Sequence, residues 1–400
     1  MSGDFSPITF FQRIPSWLLD HYFHERHGVL GEIDFDRIRI GRKGAEEIYQ
    51  AFAELPEEKQ AEIETECQDI ESMANPEGII ALIEEARDVH GNADFAEAID
   101  DLTDDFRDKA MWAFLEYPDY WPGAVSILYA ENVREVFWKK RNDLPHVFAH
   151  LESQDIRQLE HALSNYFFRK QRRGRHCKID VYRKQGREYL FAYLSDFSRS
   201  DMEWDKTFTP RSRIPTFKII FVYTKTEGSL DIHAPKNTKH TDRLQQLFTT
   251  TILKLDETLD KFAGDDRVYE LDVLVDRNFE FQNLMNYGIQ SVLVRSLRLP
   301  LIGTNQRITV EIGAQDEQKV MHDRIDALNL PPFHVTQAII KVTFFKPEPG
   351  TRKQTHTFTI SHPASCSLRH KGRDSVIRDM LITSGIELTE RENATEDSAA

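Results

Sequence analysis

Nine cations fall between residues 169 and 187: Arg169, Lys170, Arg172, Arg173, Arg175, Lys178, Arg183, Lys184 and Arg187. One acid, Asp180, interrupts them, and Tyr166, Phe168, Tyr182 and Tyr189 are interleaved. Guanidinium groups pair with phosphates through two parallel N–H bonds, and aromatic rings offer faces on which bases stack. The strip therefore suits a polyanion, with nucleic acid the first candidate. The same residues have a plainer use. Cations in the last turn of a helix oppose its dipole, which covers Arg169 to Arg173. Lys and Arg on exposed hairpin strands also keep strand edges soluble.

Other groupings carry less chemistry. His21, His24 and His27 form H-x-x-H-x-x-H, with Asp20 and Glu25 as neighbours. Two of the three share a helical face, but no cysteine or further histidine completes a zinc signature, so no metal is expected. Cys366 lies near His362 and His370, although a thiolate nucleophile needs a positioned base and a lowered pKa. Glu317-x-Lys319 has the last spacing of a Mg²⁺-dependent nuclease, but on an expected helix. Asp272 and Asp276, on or just after an expected strand near 268–275, have no matching E-x-K. There is no G-x-x-x-x-G-K-[ST], G-x-G-x-x-G or G-x-S-x-G, so no phosphate-cradling loop, nucleophile elbow or cofactor is expected.

Charge is divided unevenly along the chain. Residues 1–150 carry 14 Lys+Arg against 32 Asp+Glu, and residues 151–400 carry 37 against 34. Between 54 and 108 there are 19 acids and three bases, Lys59, Arg87 and Arg107. Such a run is a solvated helical face or a docking surface for a basic partner, including the chain's own 169–187 strip. Three separated cysteines, Cys67, Cys177 and Cys366, form no framework, which fits a reducing, cytoplasmic compartment. The first twenty residues lack the pattern of a secretory signal, and no apolar run is long enough to span a bilayer.

The elements that must position these residues follow from periodicity. Residues 44–129 read as short amphipathic helices: Ile48, Phe52 and Leu55; Ile63, Cys67 and Ile70; Ile79, Leu82, Ile83 and Ala86; Phe106, Ala110 and Phe114. Asn75-Pro76 supplies an N-cap and first turn, and Thr103 a further cap. The segment 139–147 reads as a linker. A helix over 154–173 follows, capped by Ser153 and ended near Gly174. The period then changes to two, giving hairpins at 179–193, 217–232, 292–310 and 339–360, with helices at 240–261, 316–328 and 373–384.

The expected fold is α+β. An all-helical acidic domain (1–143) precedes a mixed domain (144–386) with a largely antiparallel sheet and two or three helices, then a disordered tail (387–400). The expected function is that of a non-enzymatic cytosolic binding protein. It contacts nucleic acid or another polyanion through 169–187, with the acidic half expected to mask that strip. The alternative is a protein–protein adaptor or regulatory subunit using the acidic helices. A second alternative is a nuclease-like enzyme with dispersed site residues.

Overall fold

A computed structural model describes residues 5–38, 41–133, 138–205, 207–255, 268–313, 315–346, 354–369 and 372–388. The fold is α+β, in two compact units. The first comprises Met1–Ala130 together with Tyr182–Gln185, and the second Glu131–Val181 with Gly186–Ala400.

The first unit is helical: α1 Pro7–Phe11, α2 Ser16–Asp20, a π-helical turn His21–Arg26, α3 Arg42–Ala53, α4 Glu57–Met73, α5 Pro76–Asp88, α6 Phe95–Leu102, α7 Phe106–Glu116 and α8 Trp121–Asn132. Each buries one apolar stripe: Ile48 and Phe52, then Ile63, Cys67 and Ile70, then Ile79 and Leu82. Helices this short are marginal alone, so this shared core holds them. Asn75 caps α5 by accepting the Gly78 N–H at 3.0 Å. The cap of α7 is Asp105, which accepts the Arg107 N–H; Thr103 instead accepts the Asp105 N–H just before it. Glu66 is the polar centre of this unit. Tyr22 Oη donates to it at 2.9 Å, with His27 Nε2 at 2.8 Å and Arg26 Nη2 at 2.9 Å.

The second unit is built on a ten-stranded sheet. Its elements are β1 Trp138–Arg141, α9 Ser153–Gln171, β2 Cys177–Lys184, β3 Arg187–Ser195, β4 Arg199–Asp205, β5 Thr207–Arg213, β6 Thr216–Thr224, β7 Ser229–His233, α10 Thr241–Thr251, β8 Ile289–Pro300, β9 Arg307–Glu311, α11 Gln318–Ala327, β10 Gln337–Phe344, β11 Thr355–Ser361, β12 Ser365–Cys366 and α12 Gly372–Thr383. The strand order is β2-β3-β6-β7-β1-β12-β11-β10-β8-β9. The pairings from β3 through to β9 are antiparallel. The four expected hairpins are β2–β3, β6–β7, β8–β9 and β10–β11. The first closes on Gln185-Gly186, both at positive φ, the conformation of a tight two-residue hairpin turn. Strands β4 and β5 form a separate two-stranded ribbon inserted between β3 and β6.

The expected linker is corrected by the structure. Trp138–Arg141 is β1, the strand that joins the two halves of the sheet by pairing with β7 and β12. Lys-Lys-Arg suggests solvent, yet Lys140 and Arg141 are buried. Lys140 Nζ meets Glu387 Oε1 at 2.8 Å and Glu227 Oε2 at 3.2 Å, and Arg141 pairs with Asp143. Buried cations persist only where such partners meet them. The expected strand at 268–275 is also corrected: Asp272–Val275 is a 3₁₀ turn, and Leu271 just before it and Leu274 within it are buried three apart, out of step with a period of two. Glu387 is buried as well, while residues 389–400, most of the expected tail, lie outside the described residues.

Two cores flank the sheet. Leu230 and Ile232 of β7 pack with Leu159, Leu163 and Phe167 of α9 and Leu244 and Phe248 of α10. Alternation sends Asp231 and His233 to the opposite face. Cross-strand register puts Lys140 beside Asp231 and Trp138 beside Cys366 on that same face. There the second core gathers Cys366 and Ile360 with Ile377 and Met380 of α12. No helix among the described residues is long and apolar enough to cross a membrane.

Candidate functional site

The structure divides the basic strip. Arg173 is spent internally. Its Nη1 lies 3.1 Å from both oxygens of Asp196, its Nη2 donates to Asn237 Oδ1 at 3.0 Å, and its Nε donates to Gln171 Oε1 at 2.7 Å. Its guanidinium also lies 4.1 Å from the Phe217 ring centre. Lys184 is buried, with Nζ 2.6 Å from Glu84 Oε2. Arg187 faces Glu227 at 3.9 Å. Lys178, 3.9 Å from Glu160, and Arg183 are exposed along β2. Arg169, Lys170, Arg172 and Arg175 are exposed together at the end of α9.

Local sequence makes that end. Phe167 anchors the last turn in the core, so Arg169 and Lys170 face outward. Arg172 takes a left-handed conformation at φ 61° and stops the helix. Gly174 follows at φ 76°, where an added Cβ would lie 2.7 Å from Phe167 Cβ, so only glycine lets the chain turn there. Its N–H donates to Ser195 O at 2.7 Å, and Arg175 then stands over Phe168 at 5.3 Å.

Tertiary structure enlarges this cluster with residues the sequence did not suggest. The β7–α10 connection is tied to α9 through buried Asn237, whose Oδ1 accepts from both Gln171 and Arg173. His240 adds a second tie, with Nδ1 2.6 Å from Tyr166 Oη and Nε2 2.9 Å from Gln171 Nε2. This connection carries exposed Lys236 and Lys239, and the first turn of α10 adds exposed Arg243. Asp196, held by Arg173, and exposed Asp242 are acids of the same region.

The β4–β5 ribbon leaves the sheet from the same place. The Asp196 N–H donates to Pro215 O at 2.7 Å across its root. The register pairs Met202 with Pro210 and Trp204 with Phe208, and Arg199 with Arg213 and Asp201 with Arg211. One face is thus apolar and the other charged. The rings of Trp204 and Phe208 lie 5.0 Å apart at 37°.

The other groupings are dispersed or engaged. His21 meets Glu25 and Glu116, His24 meets Asp20 and the Leu30 carbonyl, and His27 meets Glu66. Among the described residues no three His, Cys, Asp or Glu side chains are placed to hold a metal ion. Burial pushes the Cys366 thiol up to about 11, away from the thiolate, and His370 lies outside the described residues. Glu317 and Lys319 pair with each other at 2.7 Å, exposed at the start of α11. Asp272 lines an open cleft of about 330 Å³ with His334, His362, Glu270 and Thr336. There Asp272 Oδ2 lies 2.9 Å from His334 Nδ1, and Oδ1 accepts the Val335 N–H. The pair orients one imidazole, but among the described residues no lysine or arginine lines the cleft to receive a phosphate. No protein-family model matches the chain, and no curated protein is significantly similar to it in sequence.

Proposed function

We propose that the second unit binds nucleic acid, as a polyanion, at the end of α9, without catalysing a reaction on it. One observation carries this. Seven exposed cations from two distant segments, Arg169, Lys170, Arg172 and Arg175 with Lys236, Lys239 and Arg243, are joined by the Gln171, Arg173, Asn237 and His240 hydrogen bonds. The helix dipole accounts for Arg169 and Lys170, which lie in the last turn. It does not account for Arg175, for Lys236 and Lys239 of the connection, or for Arg243, which stands in the first turn of α10 where the dipole disfavours a cation. Like charges gathered on a surface repel one another, and a bound polyanion relieves that repulsion by displacing counterions.

The test is to alter the loop rather than the strip. K239A/R243A removes one cation of the β7–α10 connection and one of the first turn of α10, and leaves Lys236, which sits at a left-handed φ of 60°, untouched. Fluorescence anisotropy with a labelled oligonucleotide at low salt is expected to show weakening comparable to that of R172A/R175A. Full affinity in the loop variant, alongside a loss in R172A/R175A, would show that the two segments do not act as one surface. No binding by the unaltered chain would remove the proposal.

A further inference from the structure

We infer that the β4–β5 ribbon is a stacking platform for single-stranded nucleic acid, with Trp204 and Phe208 receiving bases from a strand whose phosphates sit on the α9 patch. The inference rests on the nucleic-acid binding proposed above and names the form of the ligand. A lone two-stranded ribbon is only marginally stable in water, and this one holds its largest apolar groups in solvent. Trp204 is 77% exposed, Met202 55% and Phe208 54%. None of the three belongs to either core of the unit.

Exposed aromatic faces of this kind serve a protein partner or a nucleic-acid base. The three side chains expose roughly 400 Å² together, so alone they make about half of what one partner of a standard interface buries. Position favours a base. The ribbon springs from Asp196, which is clamped by Arg173 at the end of α9, so the aromatic pair and the cation cluster share one anchor. The ligand form follows from the rings. A duplex shows proteins its base edges and keeps base faces stacked inside, whereas a single strand offers faces to an aromatic platform.

The test uses the full chain, a fluorescein-labelled oligothymidylate and a duplex of equal length, followed by anisotropy at one low ionic strength. The unaltered protein is expected to prefer the single strand. W204A is expected to weaken single-strand binding at least about tenfold while changing duplex binding little, and W204F is expected to restore most of the loss. Trp204 is exposed, so its replacement leaves both cores intact. If W204A binds the single strand as the unaltered chain does while R172A/R175A is weakened, the ribbon is no platform and the patch alone stands. Equal affinity for both oligonucleotides also overturns the inference. If W204A turns a dimer into a monomer in sedimentation without altering affinity, a second copy is the ribbon's occupant. Absence of binding to either oligonucleotide removes the patch and the platform together.

Discussion

Arg173 and Asp196 form a clamp, Nη1 to both carboxylate oxygens at 3.1 Å, that fastens the end of α9 to the root of the β4–β5 ribbon. Arg173 lies in the middle of the basic strip but serves the fold, because its Nε, Nη1 and Nη2 all donate inside the unit. R173A is expected to destabilise the protein by about 1.5–3 kcal/mol, the range for charge-assisted hydrogen bonds. R172A, which alters an exposed side chain, should stay within about 0.5 kcal/mol. Thermal melting of the two variants distinguishes these roles. Equal melting temperatures would mean that Arg173 is a surface cation like its neighbours.

Lys140 provides a second test of the sheet's construction. Burial alone would lower its pKa, but Glu387, Asp231 and Glu227 outweigh that and raise it, so the ammonium stays charged inside the protein. K140A leaves Glu387 buried without its cation, which costs about 3–5 kcal/mol. Urea unfolding is expected to show that loss. A change below about 1 kcal/mol would indicate that β1 is dispensable, as a linker would be.

Glu85 makes the helical unit sensitive to pH. Burial, with Asp88 adding to it, raises its carboxyl from 4.5 to about 7. The folded state therefore holds this proton more tightly than the unfolded chain does. The resulting stability is complete below about pH 4.5 and is lost as pH rises through about 7. E85Q cannot ionise. Relative to the unaltered protein it is expected to gain about 1–3 kcal/mol at pH 8 and little at pH 5. Parallel stability curves across that range would show that Glu85 is not held protonated.

What was legible in the sequence follows the reach of each signal. The four hairpins announced themselves because alternation and turn chemistry are local. Gly186 and Gly228, at φ 76° and 56°, stand where the reversals occur. The helices of the first unit were legible for the same reason, since Ile63, Cys67 and Ile70 mark a buried stripe without reference to anything distant. Strand β1 was not, because the acids that meet buried Lys140 are distant in sequence, Glu387 by 247 residues and Glu227 by 87. The patch was half legible. Arg169 to Arg175 stand out as a run, whereas Lys236, Lys239 and Arg243 join them only through Asn237 and His240. The ribbon did leave a signal: Met202, Trp204, Phe208 and Pro210 are spaced by two on either side of Lys206, a hairpin pattern with no core behind it.

Phosphate contact by the exposed cations at the end of α9, as proposed, is read from the salt dependence of binding. Affinity of the full chain for a labelled oligonucleotide would be followed across a series of salt concentrations, for the unaltered protein and for R169A/R172A/R175A. Each lost phosphate contact removes about 0.7–0.9 from the slope of log affinity against log salt. A steep slope is expected for the unaltered chain and one shallower by roughly two to three units in the triple variant, with unchanged melting. Identical slopes, with binding intact, would contradict the proposed contact.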